Sequence, residues 1–190
     1  LFCGTKFVNA PFTTTAGGTT SADFTGDPTD PSGSEAEGFY AYYTYSAHAV
    51  LEGSVVSGLS IPAVQTFATK SFATELCPMA TSGVDYSRLA FRTIGTVLKF
   101  QVTGQKNVTK IELTGNNGEA LAGDYTIDFV GETPEMKFSG TETTLTLTCS
   151  EPVALNDASA TEFYFVLPAG VEFTKGITVK VYTDDNAEPM

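Results

Sequence analysis

The chain has 190 residues, 42 % of them hydrophobic and 17 % charged, enough apolar material for a sizeable core and too much for wholesale disorder. Acidic residues outnumber basic ones 22 to 10, a net charge of −12, which repels phosphate backbones and anionic headgroups and excludes nucleic acid and polybasic membrane docking as expected partners. With one histidine and no tryptophan, chemistry that needs several imidazoles has nothing to work with.

In chain order, residues 1–38 read as a loop-rich N-terminal part. Residues 17–33 are poor in large apolar side chains and dense in turn formers, with room for a short strand at 22–25. FYAYYTYS follows with high β propensity: Phe39, Ala41, Tyr43 and Tyr45 fall on one face, and Tyr40, Tyr42 and Thr44 on the other. LSIPAV reads as a strand stopped at Pro62. FATKSFATEL is the nearest approach to a helical stripe and amounts to two or three turns at most.

From residue 96 onward, period-two alternation dominates. Leu98, Phe100 and Val102 oppose Lys99, Gln101 and Thr103; Ile111 and Leu113 oppose Lys110, Glu112 and Thr114. Tyr125, Ile127 and Phe129 oppose Thr126 and Asp128, and Leu145, Leu147 and Cys149 alternate with threonines. Phe163, Phe165 and Leu167 face inward in a more deeply covered strand, with Tyr164 and Val166 outward; Ile177, Val179 and Val181 oppose Thr178 and Lys180. Turn formers separate these runs at Gly115-Asn116-Asn117-Gly118, at 131–134 and at Pro168-Ala169-Gly170. Alternation with one wet face predicts antiparallel sheets, and two such sheets bury their apolar faces against each other as a β-sandwich. The expected organisation is a single domain over residues 1–190, with its sandwich core at 39–184. The core residues it points to are Leu98, Phe100, Val102, Phe163 and Phe165, and Phe100→Ala is expected to cost about 3–5 kcal/mol.

Few residues invite chemistry. Cys3, Cys77 and Cys149 are widely spaced, with no CxxC pair or Cys/His cluster, which excludes a structural zinc site; one disulfide has three pairings open to it, and Cys149 reads as a small buried hydrophobe. His48 lacks a GxSxG elbow and reads as an exposed loop histidine after a strand. Asp23, Asp27 and Asp30 share one loop, and Asp184 and Asp185 lie near the C-terminus, but DFTGDPTD does not match a DxDxDG calcium loop and reads as a solvated acidic loop. Neither a metal nor a cofactor is expected, and no enzymatic activity. Asn107-Val108-Thr109 fits a glycosylation sequon, relevant only to a eukaryotic secretory setting. No run of eighteen apolar residues or secretory leader occurs, so no membrane-spanning segment is expected. The strand carrying Tyr40, Tyr42, Tyr43 and Tyr45 is a candidate ligand-contact surface, although tyrosine serves equally well in a strand packed between the core and a neighbouring segment.

Taken in order, FYAYYTYSAHA, LSIPAVQT, CPMATSG, FRTIGTVLKFQVTG with KIELTGNNGEALAGDYTID, and EFYFVLPAGVEFTKGITVKVYTDDN resemble the fimbrillin family, the type V pilus and fimbrillin-like surface proteins of Bacteroidales bacteria, over residues 39–184. The resemblance implies a transthyretin-like, Greek-key type sandwich, export as a lipoprotein to the outer cell surface or fimbrium, and no catalysis. It also implies a role in cell adhesion, as a pilus subunit or fimbrillin-like component that joins other subunits by strand exchange: a leading strand is removed by an arginine-specific protease and another strand fills its groove. If that strand is lost here, some of the five core candidates would line the open groove. The alternative is a surface module that binds a glycan or host protein and does not polymerise.

Three departures stand out. Cys3 follows Phe2 and not a small residue, so no lipobox is present and a lipid anchor belongs to a longer precursor; the only arginines are Arg88 and Arg92; and the chain stops where the family's second domain begins. The expectation is a fragment of a longer chain, with sequence missing upstream of Leu1.

Overall fold

The computed structural model describes residues 1–3, 8–15, 23–26, 38–73, 76–84, 89–185 and 189. Among them the chain is all-β, and no α-helix forms. Fourteen strands run in chain order: β1 (Phe39–Tyr43), β2 (Val50–Glu52), β3 (Val55–Ile61), β4 (Val64–Ala68), β5 (Ser71–Phe72), β6 (Met79–Gly83), β7 (Arg92–Thr93), β8 (Thr96–Val102), β9 (Asn107–Gly115), β10 (Gly123–Asp128), β11 (Glu135–Phe138), β12 (Thr144–Ala154), β13 (Thr161–Leu167) and β14 (Ile177–Thr183). Each alternating run of the sequence is a strand. The apolar residues on one side are buried, or half-buried on β8 and β14, while threonines and charges line most of the other.

The chain divides into two compact units. One comprises Leu1–Leu59, Pro78–Thr93 and Thr126–Lys137; the other comprises Ser60–Cys77, Ile94–Tyr125 and Phe138–Met190. In the first, β1 lies between β6 and the N-terminal residues. Phe39 to Tyr43 pair antiparallel with Gly83 to Met79, and on the other edge Phe2 and Tyr40 exchange two backbone hydrogen bonds of 2.8 and 2.9 Å. Phe2, Cys3 and Phe39 are buried there, and Leu1 and Ala10 pack on the pair Cys3 and Phe39. β2, most of β3 and the parts of β10 and β11 within Thr126–Lys137 belong to a sheet of order β11-β10-β3-β2; Val56, Leu59 and Ile127 on it, with Phe129 just past β10, join the buried set. Gly58 is required in β3. At φ +76° it holds a backbone conformation that L side chains rarely adopt, and a Cβ there would collide with the carbonyl of His48.

The second unit carries a five-stranded sheet of order β14-β9-β12-β4-β5 and a two-stranded β13-β8 ribbon that packs against it. Ile111, Leu113, Leu145 and Leu147 form the sheet's inner face, each at most 1 % exposed, and the Phe163 ring of β13 lies 5.2 Å from that of Phe67 on β4. Burying such side chains stabilises the unit by about 1.5–3 kcal/mol apiece.

Three expectations change. Val166, expected to face outward on β13, is fully buried. The sheets are not purely antiparallel: β12 and β4 run parallel, with Thr146 opposite Val64 and Thr148 opposite Thr66. Half-buried alternation looks the same in either direction, so this ladder has no separate signature in the side-chain pattern. FATKSFATEL, expected to give at most two or three helical turns, contains a hairpin and then a tight turn in which Leu76 N donates to Ala73 O at 3.0 Å, with residues 74 and 75 outside the described residues. Phe67 faces Phe72 and Ala68 faces Ser71, and Lys70 closes the turn at φ +59°. Of the early loop, Thr13 and Thr25 form an isolated antiparallel bridge; Ala22, Asp27 and Asp30 lie outside the described residues.

Candidate functional site: the open edge of the β8–β13 ribbon

β8 and β13 pair antiparallel over seven residues, Phe163 opposite Phe100, Phe165 opposite Leu98 and Thr161 opposite Val102. Both inner faces are aromatic, and Phe100 meets Phe165 edge-on at 5.9 Å. Burial is unequal. Phe163 and Phe165 are completely buried, as expected of core residues, whereas Leu98, Phe100 and Val102 are only half-buried. Alternation reveals which face of a strand is apolar, not whether anything covers it.

The reason is visible in how the two edges of the ribbon are finished. On the β13 side, the side-chain amide of Gln65 takes the place of a neighbouring strand. Its Nε2 donates to the carbonyl of Val166 at 2.8 Å, and its Oε1 accepts the Val166 N–H at 2.9 Å. Gln65 is 1 % exposed and Val166 is fully buried, so neither backbone group could turn to water. In an antiparallel ladder, a residue's N–H and C=O point to the same side and alternate from residue to residue. Val166 points both away from β8, so its partner Val97, and with it Lys99 and Gln101, point theirs away from β13. These groups reach the outer side of β8, where no strand is paired among the described residues. The result is an open sheet edge with three half-buried apolar side chains beneath it.

Outer-face polar residues tie the ribbon together. Glu162 accepts from Lys99 Nζ (2.9 Å), Gln101 Nε2 (3.2 Å) and Tyr164 Oη (2.6 Å). The Tyr164 bond and then that of Lys99 hold the Glu162 carboxyl below the usual carboxylate range, while Glu162 raises both partners. Lys99 remains 45 % exposed in its side chain.

A second open edge is that of β14. Asn116 N donates to Gly176 O at 3.0 Å, which sets the alternation so that Ile177, Val179 and Val181 direct their backbone groups outward, and their side chains too are half-buried. On the adjoining outer face, Glu112 accepts from Lys110 (2.7 Å) and Tyr182 (2.8 Å), with the Lys110 ammonium 3.9 Å above the Tyr182 ring. The lysine covers that ring face, which removes it as a stacking surface for a ligand.

The tyrosine strand is not gathered into one surface. Tyr42 is buried, stacked on Phe2 at 6.1 Å, and its hydroxyl donates to Asn9 Oδ1 at 2.5 Å. Tyr40 is half-buried against Phe129 at 4.7 Å, Tyr43 is half-buried, and Tyr45, beyond the end of β1, is 53 % exposed. His48 is exposed, in the loop between β1 and β2. Cys3 and Cys77 are buried; Cys149 is a half-buried free thiol, which burial pushes up to about 11. Asp23 is exposed. Asp184 accepts from Asn107, and Asp185 accepts from Thr183 and Lys106. No group of three or more His, Cys, Asp or Glu among the described residues is arranged to hold a metal, and no described helix is long and apolar enough to cross a membrane.

The residue missed in the sequence is Gln65. Its signal is an amide in the inward series 61, 63, 65 and 67, where alternation calls for an apolar side chain. Comparison with known proteins adds no name to this site: no family model, no curated protein and no solved structure matches the chain.

Proposed function

We propose that this chain is a non-enzymatic, fimbrillin-like protein of the outer cell surface, a pilus subunit or related adhesion component that assembles by β-strand addition. The reading takes the sandwich to be transthyretin-like, and takes the full-length precursor to be lipid-anchored and exported. One observation carries it: β8 belongs to a two-stranded layer facing a five-stranded sheet, its outer edge is unpaired among the described residues, and Leu98, Phe100 and Val102 beneath that edge are half-buried. An incoming extended segment would pair with the backbone of Val97, Lys99 and Gln101 and complete the cover over those side chains. Main-chain bonds supply affinity in such a joint, and alternate side chains set its register.

Immunogold electron microscopy on the cells that make the protein, with antibody raised against this chain, tests the reading. Label along thin filaments identifies a polymerising subunit, and label at filament tips an adhesin. Label scattered on a filament-free surface identifies a fimbrillin-like component that does not polymerise. Absence of surface label overturns the proposal.

A further inference from the structure

We infer that the open β8 edge selects its partner by charge, and that the strand it accepts carries a carboxylate opposite Lys99. The inference rests on the strand-addition reading of that edge and adds a specificity residue to it. Lys99 stands at the centre of the seven-residue strand and is its sole charged side chain. Its backbone N–H and C=O point to the side on which no strand is paired among the described residues, so a residue of an added strand can pair directly with it. The Lys99 side chain is 45 % exposed, and its ammonium gives one of its three donors to Glu162. Glu162 does not depend on it alone, because Tyr164 and Gln101 also hydrogen-bond that carboxylate.

Glu162 could oppose an incoming acid, and distance decides the contest. A residue opposite Lys99 on a new strand lies about 5 Å from it between Cβ atoms. Glu162 Oε1 already lies 2.9 Å from Lys99 Nζ, so a second carboxylate on the far side of that ammonium stands about 6 Å from it, and at twice the distance the repulsion is about half the attraction. The same lysine makes β8 a poor match for a second β8: an antiparallel self-pairing centred on Lys99 sets two ammonium groups face to face. An acidic donor strand is therefore favoured over self-association at this edge.

The test uses the whole chain and three fluorescent, palindromic seven-residue peptides with valine on one face. Threonine flanks a central glutamate, glutamine or lysine on the other, so either strand direction presents the same register. Anisotropy titrations should show the glutamate peptide binding about 1.5- to 5-fold more tightly than the glutamine peptide, with the lysine peptide weakest. The order should reverse in Lys99→Glu and the differences should collapse in Lys99→Gln. The second variant keeps the outcome readable if the first, which adds a charge beside Glu162, does not fold. Equal binding of all three peptides, or a glutamate preference that persists in Lys99→Gln, overturns charge selection and leaves strand addition standing. If no peptide binds, strand addition at β8 itself fails.

Discussion

Gln65 offers the sharpest test of how the ribbon is built. In Gln65→Met the side-chain length is kept, but the Val166 N–H and C=O lose their only observed partners in a site that water does not reach. Each orphaned group costs about 1–3 kcal/mol, and exchanging an amide for a thioether in an apolar site returns about 1–2 kcal/mol. The net loss should centre on about 2.5 kcal/mol in the urea unfolding free energy. Amide hydrogen exchange localises it. The Val166 amide should lose protection far more than those of Phe165 and Leu167, whose bonds run to β8. Gln65→Glu makes a complementary prediction. Its carboxylate can accept the Val166 N–H but repels the Val166 carbonyl, so burial raises its folded pKa above the unfolded value near 4.3. Stability is then retained below the unfolded pKa, where the acid can donate, and is lost as pH rises through the folded pKa. A Gln65→Met loss below about 1 kcal/mol, or uniform exchange along β13, would refute the claim that one side chain finishes this edge.

Unequal burial in the ribbon predicts unequal truncation costs. Phe163→Ala should lower stability by about 3–5 kcal/mol and Phe100→Ala by about 1–2 kcal/mol, because Phe100 already exposes part of its ring; equal losses in chemical denaturation would contradict the half-open face. Glu112 is held below the usual carboxylate range by Lys110 and then Tyr182, so its contribution to stability is present above the unfolded pKa and disappears as pH falls through the folded one. Glu112→Gln should flatten that acid limb, and an unchanged acid limb would rule the network out as its source. With the Cys149 thiol pushed from 9.0 to about 11, its native thiolate fraction at pH 8 falls on the order of 100-fold. Alkylation at Cys149 should be slow until urea unfolds the chain, and rapid native labelling would contradict its burial.

The parts legible in the sequence are those written in local periodicity. TVLKFQV, NVTKIELTG, TLTLTC, EFYFVL and ITVKVY each announce a strand and its inner face, because a period of two has no other common structural source. What they do not announce is who sits beside them. β12 meets β4 in parallel across more than eighty residues of chain, and a strand shows the same alternation whichever direction its neighbour runs. Short strands are silent for a different reason. β2, β5 and β7 span two or three residues, too few for a period to be counted. Phe100 illustrates the third gap. Its apolar face could be read, but its half-exposure goes with there being no strand beyond β8 among the described residues, a fact about the sheet and not about any one segment.

Gln65 and Lys99 mark the two ways a ribbon edge can be finished, and the contrast argues for different roles. At the inner edge the backbone groups are buried, so they must be paired within the chain, and an amide that both donates and accepts is the side chain able to imitate a peptide unit. At the outer edge water can serve the same groups until a partner arrives. An exposed lysine there deters indiscriminate pairing, since desolvating the ammonium and matching it with an apolar or cationic neighbour are both unfavourable. On the strand-addition proposal, a partner strand that brings a carboxylate removes that penalty while keeping every main-chain bond. The residue that protects the edge from the wrong strand would then, by the same electrostatics, admit the right one.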